Sequence, residues 1–169
     1  MMIQINTMKN YYIKKGNISA YGDKLISQSS EFFAINKYID TIKTNKFYSY
    51  ITPFCNSTVG LVFGIENYIL TEKYYLFQIN EKGNLTLFFK EGDKSKNLMN
   101  NQDKYIENYN INNTYKMGIS FNPLNGNIIT TINDDIIYST NDSSLKGNRI
   151  GMFSNGRNTV FKGIIPGEL

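Results

Sequence analysis

An all-β chain, built as an antiparallel sandwich or a barrel, is predicted by three observations. The 169 residues include 13 Tyr and 11 Phe but only two Ala, Ala20 and Ala34. Aromatic and β-branched side chains suit a pleated, half-buried surface, and the best helix former is nearly missing. Apolar/polar alternation recurs from about residue 17 to the C-terminus, punctuated by turn residues, and no segment longer than a turn or two carries a helical period. Short strands at such spacing each have one apolar face to bury, which two packed sheets or a barrel provide. The length suits a single domain over residues 1–169, large enough to bury roughly 68–70% of the surface of the unfolded chain.

The elements follow in order. Residues 1–13 read as disordered or as an edge strand. Ile18, Lys24 to Ile26 and Glu31 to Ile39 give short early strands. Lys46 to Phe54 is longer, and Pro53 marks an edge or a strand end because it has no N–H to donate. Thr58 to Glu66 follows, with Leu61, Phe63 and Ile65 expected on one face and Gly60, Val62 and Gly64 on the other. Tyr74 to Asn80 meets Leu85 to Lys90 across the turn residues 81–84. Glu91 to Asn113 is polar with no sustained period, and reads as a loop carrying one irregular strand near Tyr105 and Ile106. The alternation is cleanest in Tyr115 to Phe121, where every odd position is apolar. Asn122 to Gly126 is a turn, Ile128 to Ile132 and Asp135 to Ser139 form a hairpin across Asn133-Asp134, and Arg149 to Ser154 and Thr159 to Ile165 complete the series.

Missing residues exclude much chemistry. There is no His, no Trp and a single Cys, Cys55. Catalytic triads, His-zinc sites, Cys-cluster metal sites and intrachain disulfides are therefore unavailable to this chain. The net charge is only +4, from 18 basic and 14 acidic residues that are interspersed, with Lys14-Lys15 the one adjacent basic pair. A nucleic-acid partner is not expected, since such proteins concentrate their cations on one face. Membrane insertion is not expected either, as the longest apolar run, Val59 to Ile65, falls far short of a span. The first twenty residues lack the apolar stretch of a signal peptide. Five Asn-x-Ser/Thr sequons, at Asn17, Asn56, Asn84, Asn112 and Asn141, are expected by chance in so Asn-rich a chain. Cys55, at the end of an apolar strand, is expected to be a small buried or half-buried residue.

Three ordered groups of residues carry a family resemblance. Val59-Gly60-Leu61-Val62-Phe63-Gly64 is followed by Tyr74-Tyr75-Leu76-Phe77-Gln78-Ile79. Then come Tyr115 to Phe121, Gly126 and Ile128 to Asp134. Last is Asp142-Ser143-Ser144-Leu145-Lys146-Gly147-Asn148-Arg149-Ile150-Gly151-Met152-Phe153. Over residues 45–165 this resembles the concanavalin A-like lectin/glucanase superfamily, in its laminin-G-like branch. It departs from the pattern at Thr114-Tyr115, where the family often has Trp. The resemblance implies a jelly roll of two antiparallel sheets, one concave and one convex, and a lectin-like, carbohydrate-binding, cell-adhesion or protein-protein interaction role. Gly147 and Gly151 would permit tight turns and close strand approach, with Leu145, Ile150 and Phe153 buried.

Candidate sites are few. Tyr48, Tyr50, Gln78 and Lys116 lie on strand faces opposite the expected core set; in a shallow groove Tyr would stack on a sugar and Gln would hydrogen-bond to it, the alternative being ordinary exposed Tyr. Asn155 and Arg157 sit on a hairpin tip able to take a carboxylate or phosphate, or are simply a solvated turn. Asp134 and Asp142 are candidate Ca²⁺ ligands, with turn chemistry as the alternative. Glucanases of this fold carry Glu-x-Asp-x-Glu on one strand; this chain has no such run, Asp134 and Asp135 point to opposite faces, and Glu66 stands alone.

The expectation is a non-catalytic binding or adhesion module for carbohydrate or a protein surface. The competing readings are a scaffold domain of a larger assembly without sugar affinity and, behind it, a glucanase-type hydrolase. A concave face blocked by bulky side chains would favour the scaffold. Family habit points to secretion or the cell surface as part of a longer chain, whereas the unpaired Cys55 points to an intracellular protein.

Overall fold

The computed structural model describes residues 8–167 apart from residues 42, 68, 70 and 101. Two antiparallel sheets pack face to face. Sheet A runs in the order β1 (Tyr11–Lys15), β4 (Phe32–Asn36), β14 (Arg149–Ser154), β6 (Val59–Ile65), β7 (Lys73–Ile79), β8 (Asn84–Glu91) and β10 (Lys104–Tyr105), with β9 (Lys94–Asn97) also paired to β8. Sheet B runs β13 (Asp135–Asn141), β12 (Asn127–Ile132), β11 (Tyr115–Asn122), β5 (Lys46–Thr52), β15 (Val160–Phe161), β3 (Lys24–Ser27) and β2 (Ile18–Tyr21), with β16 (Ile165–Pro166) on β5. Of residues 1–13, read as disordered or as an edge strand, residues 1–7 lie outside the described residues, and residues 11–13 belong to β1 at the edge of sheet A.

The core forms where the inward sets of the two sheets meet. Phe63 of β6 lies at its centre, 6.2 Å from Phe47 of β5, 5.3 Å from Phe121 of β11 and 5.2 Å from Tyr75 of β7, measured between ring centres. Offset and edge-on arrangements of this kind let the positive ring edge meet the negative ring face. Leu25, Phe32, Ile51, Leu61, Phe77, Met117, Ile128, Met152 and Phe161 fill the layer around them, all buried. Gly147 lies where a Cβ would collide with the backbone of Ile65 and Glu66, so only glycine allows the 142–148 segment to cross the end of β6 this closely.

The structure departs from the sequence pattern in several places. Phe153, expected buried between the sheets, lies half-buried on the outer side of sheet A. The strand expected over Thr159 to Ile165 is the two short strands β15 and β16. Ile65 does not follow Leu61 and Phe63 into the core. Gly64 takes a φ of 74°, and opposite Arg149 and Gly151 the strand β6 holds one residue too many, a bulge that turns Ile65 to the outer side of sheet A. The polar stretch 91–113 also holds β9, which returns antiparallel along β8 after Gly92 (φ 57°). All four β9 side chains are exposed, so no alternation marks the strand in the sequence. Cys55 is exposed, because β5 ends at Thr52 and the chain turns outward through Asn56 at φ 55°.

Candidate functional site

The outer face of sheet B gathers Tyr48, Tyr50 and Lys116. Along β5 the side chains of Phe47, Ser49 and Ile51 enter the core, which turns Lys46, Tyr48 and Tyr50 outward. On β11, Met117, Ile119 and Phe121 point in and Lys116, Gly118 and Ser120 point out. The register sets Tyr50 opposite Lys116, Tyr48 opposite Gly118 and Lys46 opposite Ser120. On the far side of β11, Gly118 pairs with Thr131 of β12, which pairs with Ile136 of β13.

Two kinds of contact fix this arrangement. The rings of Tyr48 and Tyr50 meet edge-on at 5.7 Å. The Lys116 ammonium lies 4.4 Å from the centre of the Tyr48 ring and donates to Asp134 Oδ1 at 2.7 Å. That hydrogen bond, with the charge of the Asp134 carboxylate and the phenol groups of Tyr50 and Tyr48 adding to it, raises the Lys116 pKa above the ordinary lysine value despite some desolvation. Asn133 and Asp134 hold the β12–β13 turn with φ of 51° and 70°, both left-handed, as a two-residue hairpin requires. Asn133 Oδ1 accepts from the Lys116 backbone N–H at 2.9 Å, tying the turn to β11. A Cβ at position 118 would collide with Thr131 Oγ1, so this glycine leaves a dip between Tyr48 and Thr131. The result is an open groove of about 610 Å³ whose lining includes Lys46, Tyr48, Lys116, Ser120, Thr131 and Ile136.

The outer face of sheet A is different: it is curled and filled. Phe33 of β4 and Tyr74 of β7 meet edge-on at 5.0 Å, although two strands, β14 and β6, run between theirs. With strands about 4.8 Å apart, that contact requires the sheet to bend toward this side. The Lys14 ammonium of the edge strand β1 likewise reaches the Thr71 carbonyl just before β7. Beneath this arch Ile35, Val62, Ile65 and Leu76 are buried although they face away from the core, flanked by half-buried Phe88 and Phe153. Burial raises the Tyr74 pKa, and the carboxylate of Glu31 adds to the shift. Gln78 belongs to this face, so the fold does not bring it to the tyrosines and Lys116.

Asp134 and Asp142 are not brought together either. They flank the two ends of β13, separated by roughly 20 Å or more of extended strand. Asp134 is paired with Lys116, and Asp142 accepts from the Tyr75 hydroxyl at 2.6 Å and the Ser144 N–H at 3.0 Å. Among the described residues no three acidic or Cys side chains gather as a metal site. Asn155 serves the fold, its Oδ1 accepting the Thr58 N–H at 2.6 Å, while Arg157 beside it is exposed. Glu66 and Glu72 share a smaller pocket of about 290 Å³ with Ser144 at the end of sheet A. Lys46, Ser120, Thr131 and Ile136 escaped the sequence reading as site residues; their outward parity was available, but not which outward positions would be neighbours.

This sandwich, with one curled and filled sheet face and one open one, is a jelly roll of two antiparallel sheets. No family model matches the sequence, and no curated protein matches it. Solved structures match across nearly the whole chain. The carbohydrate-binding module CBM66 from Bacillus subtilis is 13% identical with a TM-score of 0.71, over 92% of this chain and 93% of that one. The carbohydrate recognition domain of Emp46p, in a metal-free form, is 8% identical with a TM-score of 0.63, over 97% and 90%. A Bacillus licheniformis beta-glucanase is 9% identical with a TM-score of 0.59, over 94% and 91%. Binding modules and hydrolases alike share the architecture, so the likeness defines the fold and not a branch or an activity.

Proposed function

We propose that the chain is a carbohydrate-binding module without hydrolytic activity, taking its ligand on the outer face of sheet B. The observation that carries this reading is the groove beside Tyr48, Lys116 and Asp134. A sugar presents an apolar C–H face and a rim of hydroxyls. Tyr48 and Ile136 offer apolar surface for the first, and Ser120, Thr131, Lys116 and Asp134 offer donors and acceptors for the second. The likeness in fold to a carbohydrate-binding module and a carbohydrate recognition domain supports the reading. Strands β4, β6, β7 and β14, which line the curled face of sheet A, contain no Asp or Glu, and glycoside hydrolysis needs two flanking carboxylates.

A glycan array followed by titration calorimetry tests the proposal. Glycan binding weakened about tenfold in Tyr48→Ala is expected, the loss of one stacking contact. Since Asp134 and Asp142 lie apart and each is engaged, EDTA is expected to leave that binding unchanged. Turnover of a polysaccharide, abolished by Glu66→Gln or Glu72→Gln, would overturn the non-catalytic reading. A second reading, a scaffold domain with no sugar affinity, is favoured by the filled curled face bridged by Phe33 and Tyr74. An array on which no glycan is retained would select it.

A further inference from the structure

Among the described residues, the charges around the sheet B groove are unbalanced. Lys46 lines it, Lys116 lies over Tyr48, and Lys162 extends the row with its ammonium 5.5 Å from the centre of the Tyr50 ring. Of the carboxylates among the described residues, Asp134 alone lines the groove, and its side chain is 74% exposed on a two-residue turn. The Lys116 side chain is held far more closely, at 25% exposure between Tyr48 and the turn. One partner of the ion pair is thus positioned by the sheet, and the other is a surface group that water solvates well.

Resting on the carbohydrate-binding reading of this groove, we propose that its ligand is an anionic saccharide, bearing a uronate carboxylate or a sulfate. The ligand's anion takes the place of Asp134 at the Lys116 ammonium while a sugar ring lies against Tyr48. Lys46 and Lys162 supply further positive potential at the two ends of the face. Lysine suits either anion because it acts as a rotatable point charge rather than a planar fork. The exchange replaces the Lys116–Asp134 charge-assisted hydrogen bond by one to the ligand's anion, and costs little at Asp134, which returns to solvent.

Asp134 separates this proposal from its neutral-sugar counterpart by sign. A neutral sugar would use the Asp134 carboxylate as a hydroxyl acceptor, and Asp134→Asn would weaken it. An anionic sugar competes with that carboxylate, and Asp134→Asn strengthens it. Calorimetry on the full chain with tetragalacturonate, a sulfated carrageenan tetrasaccharide and cellotetraose at low and moderate salt provides the test. The expected result is binding of one or both acidic probes, weakened by salt, about tenfold weaker in Lys116→Gln and several-fold tighter in Asp134→Asn. The two acidic probes distinguish carboxylate from sulfate. Equal or tighter binding of cellotetraose, lost in Asp134→Asn, would overturn the anionic assignment and leave the carbohydrate-binding reading standing. Absence of binding to all three, together with an empty glycan array, would overturn both. Unchanged thermal melting of the two variants verifies that each is folded.

Discussion

The Tyr75 hydroxyl donates to Asp142 Oδ1 at 2.6 Å, joining a side chain at the centre of the sandwich to the segment that crosses its end. The same hydroxyl accepts the Leu145 N–H at 3.1 Å, so one buried oxygen satisfies both sides of the 142–145 turn. Burial and the Asp142 carboxylate push the tyrosine pKa strongly upward, and the phenol stays protonated as a donor. Desolvation works against the carboxylate's charge, but the hydrogen bonds from Tyr75 and Ser144, with Lys96 nearby, still hold its pKa below the usual value.

Replacing Tyr75 by Phe keeps the ring and removes the link. The buried Leu145 N–H and the half-buried Asp142 carboxylate each lose a partner. A loss of about 1–3 kcal/mol in unfolding free energy is expected, because orphaning a buried polar group costs its desolvation. Urea denaturation measures it; a midpoint equal to that of the unaltered chain would show that water replaces the hydroxyl.

Acid should act through the same pair. The Asp142 pKa is lowered on folding, so below its unfolded value of about 4 the unfolded chain binds more protons at this site. Stability from Asp142 is therefore fully present above about pH 4 and is lost as pH falls through the folded pKa. The difference in melting temperature between the unaltered chain and Asp142→Asn is expected to be constant above pH 5 and to shrink below pH 4. A difference that does not change with pH would contradict the depressed pKa.

The arch on sheet A is expected to be structural. Phe33 is 6% exposed, so Phe33→Ala should cost about 3–5 kcal/mol, the usual range for deleting a buried ring. A double-mutant cycle with Tyr74→Ala should return about 0.5–1.5 kcal/mol for the edge-on contact itself. Saccharide binding on sheet B should survive Phe33→Ala at temperatures where the variant remains folded. Its loss there would move the ligand to the curled face.

Much of the fold was legible because a strand writes its two faces into alternate residues. Tyr115 to Phe121 announced β11, and Asn133-Asp134 announced the turn beside it. β9 was silent since all four of its side chains face water, and Ile65 misled since a bulge resets parity without changing composition. Of the candidate residues, alternation correctly turned Tyr48, Tyr50, Gln78 and Lys116 outward but could not say that Gln78 belongs to the other sheet.

By itself, then, the sequence determined an all-β sandwich or barrel and a chemistry without His, Trp or paired Cys, because period and composition are local properties. Which outward residues become neighbours was decided by tertiary structure alone. Register set Tyr48 beside Gly118 and Tyr50 beside Lys116, the hairpin carried Asp134 onto that lysine, and curvature closed the opposite face over Val62. Pairing and curvature are collective properties of strands far apart in the chain, and no single strand's alternation encodes them.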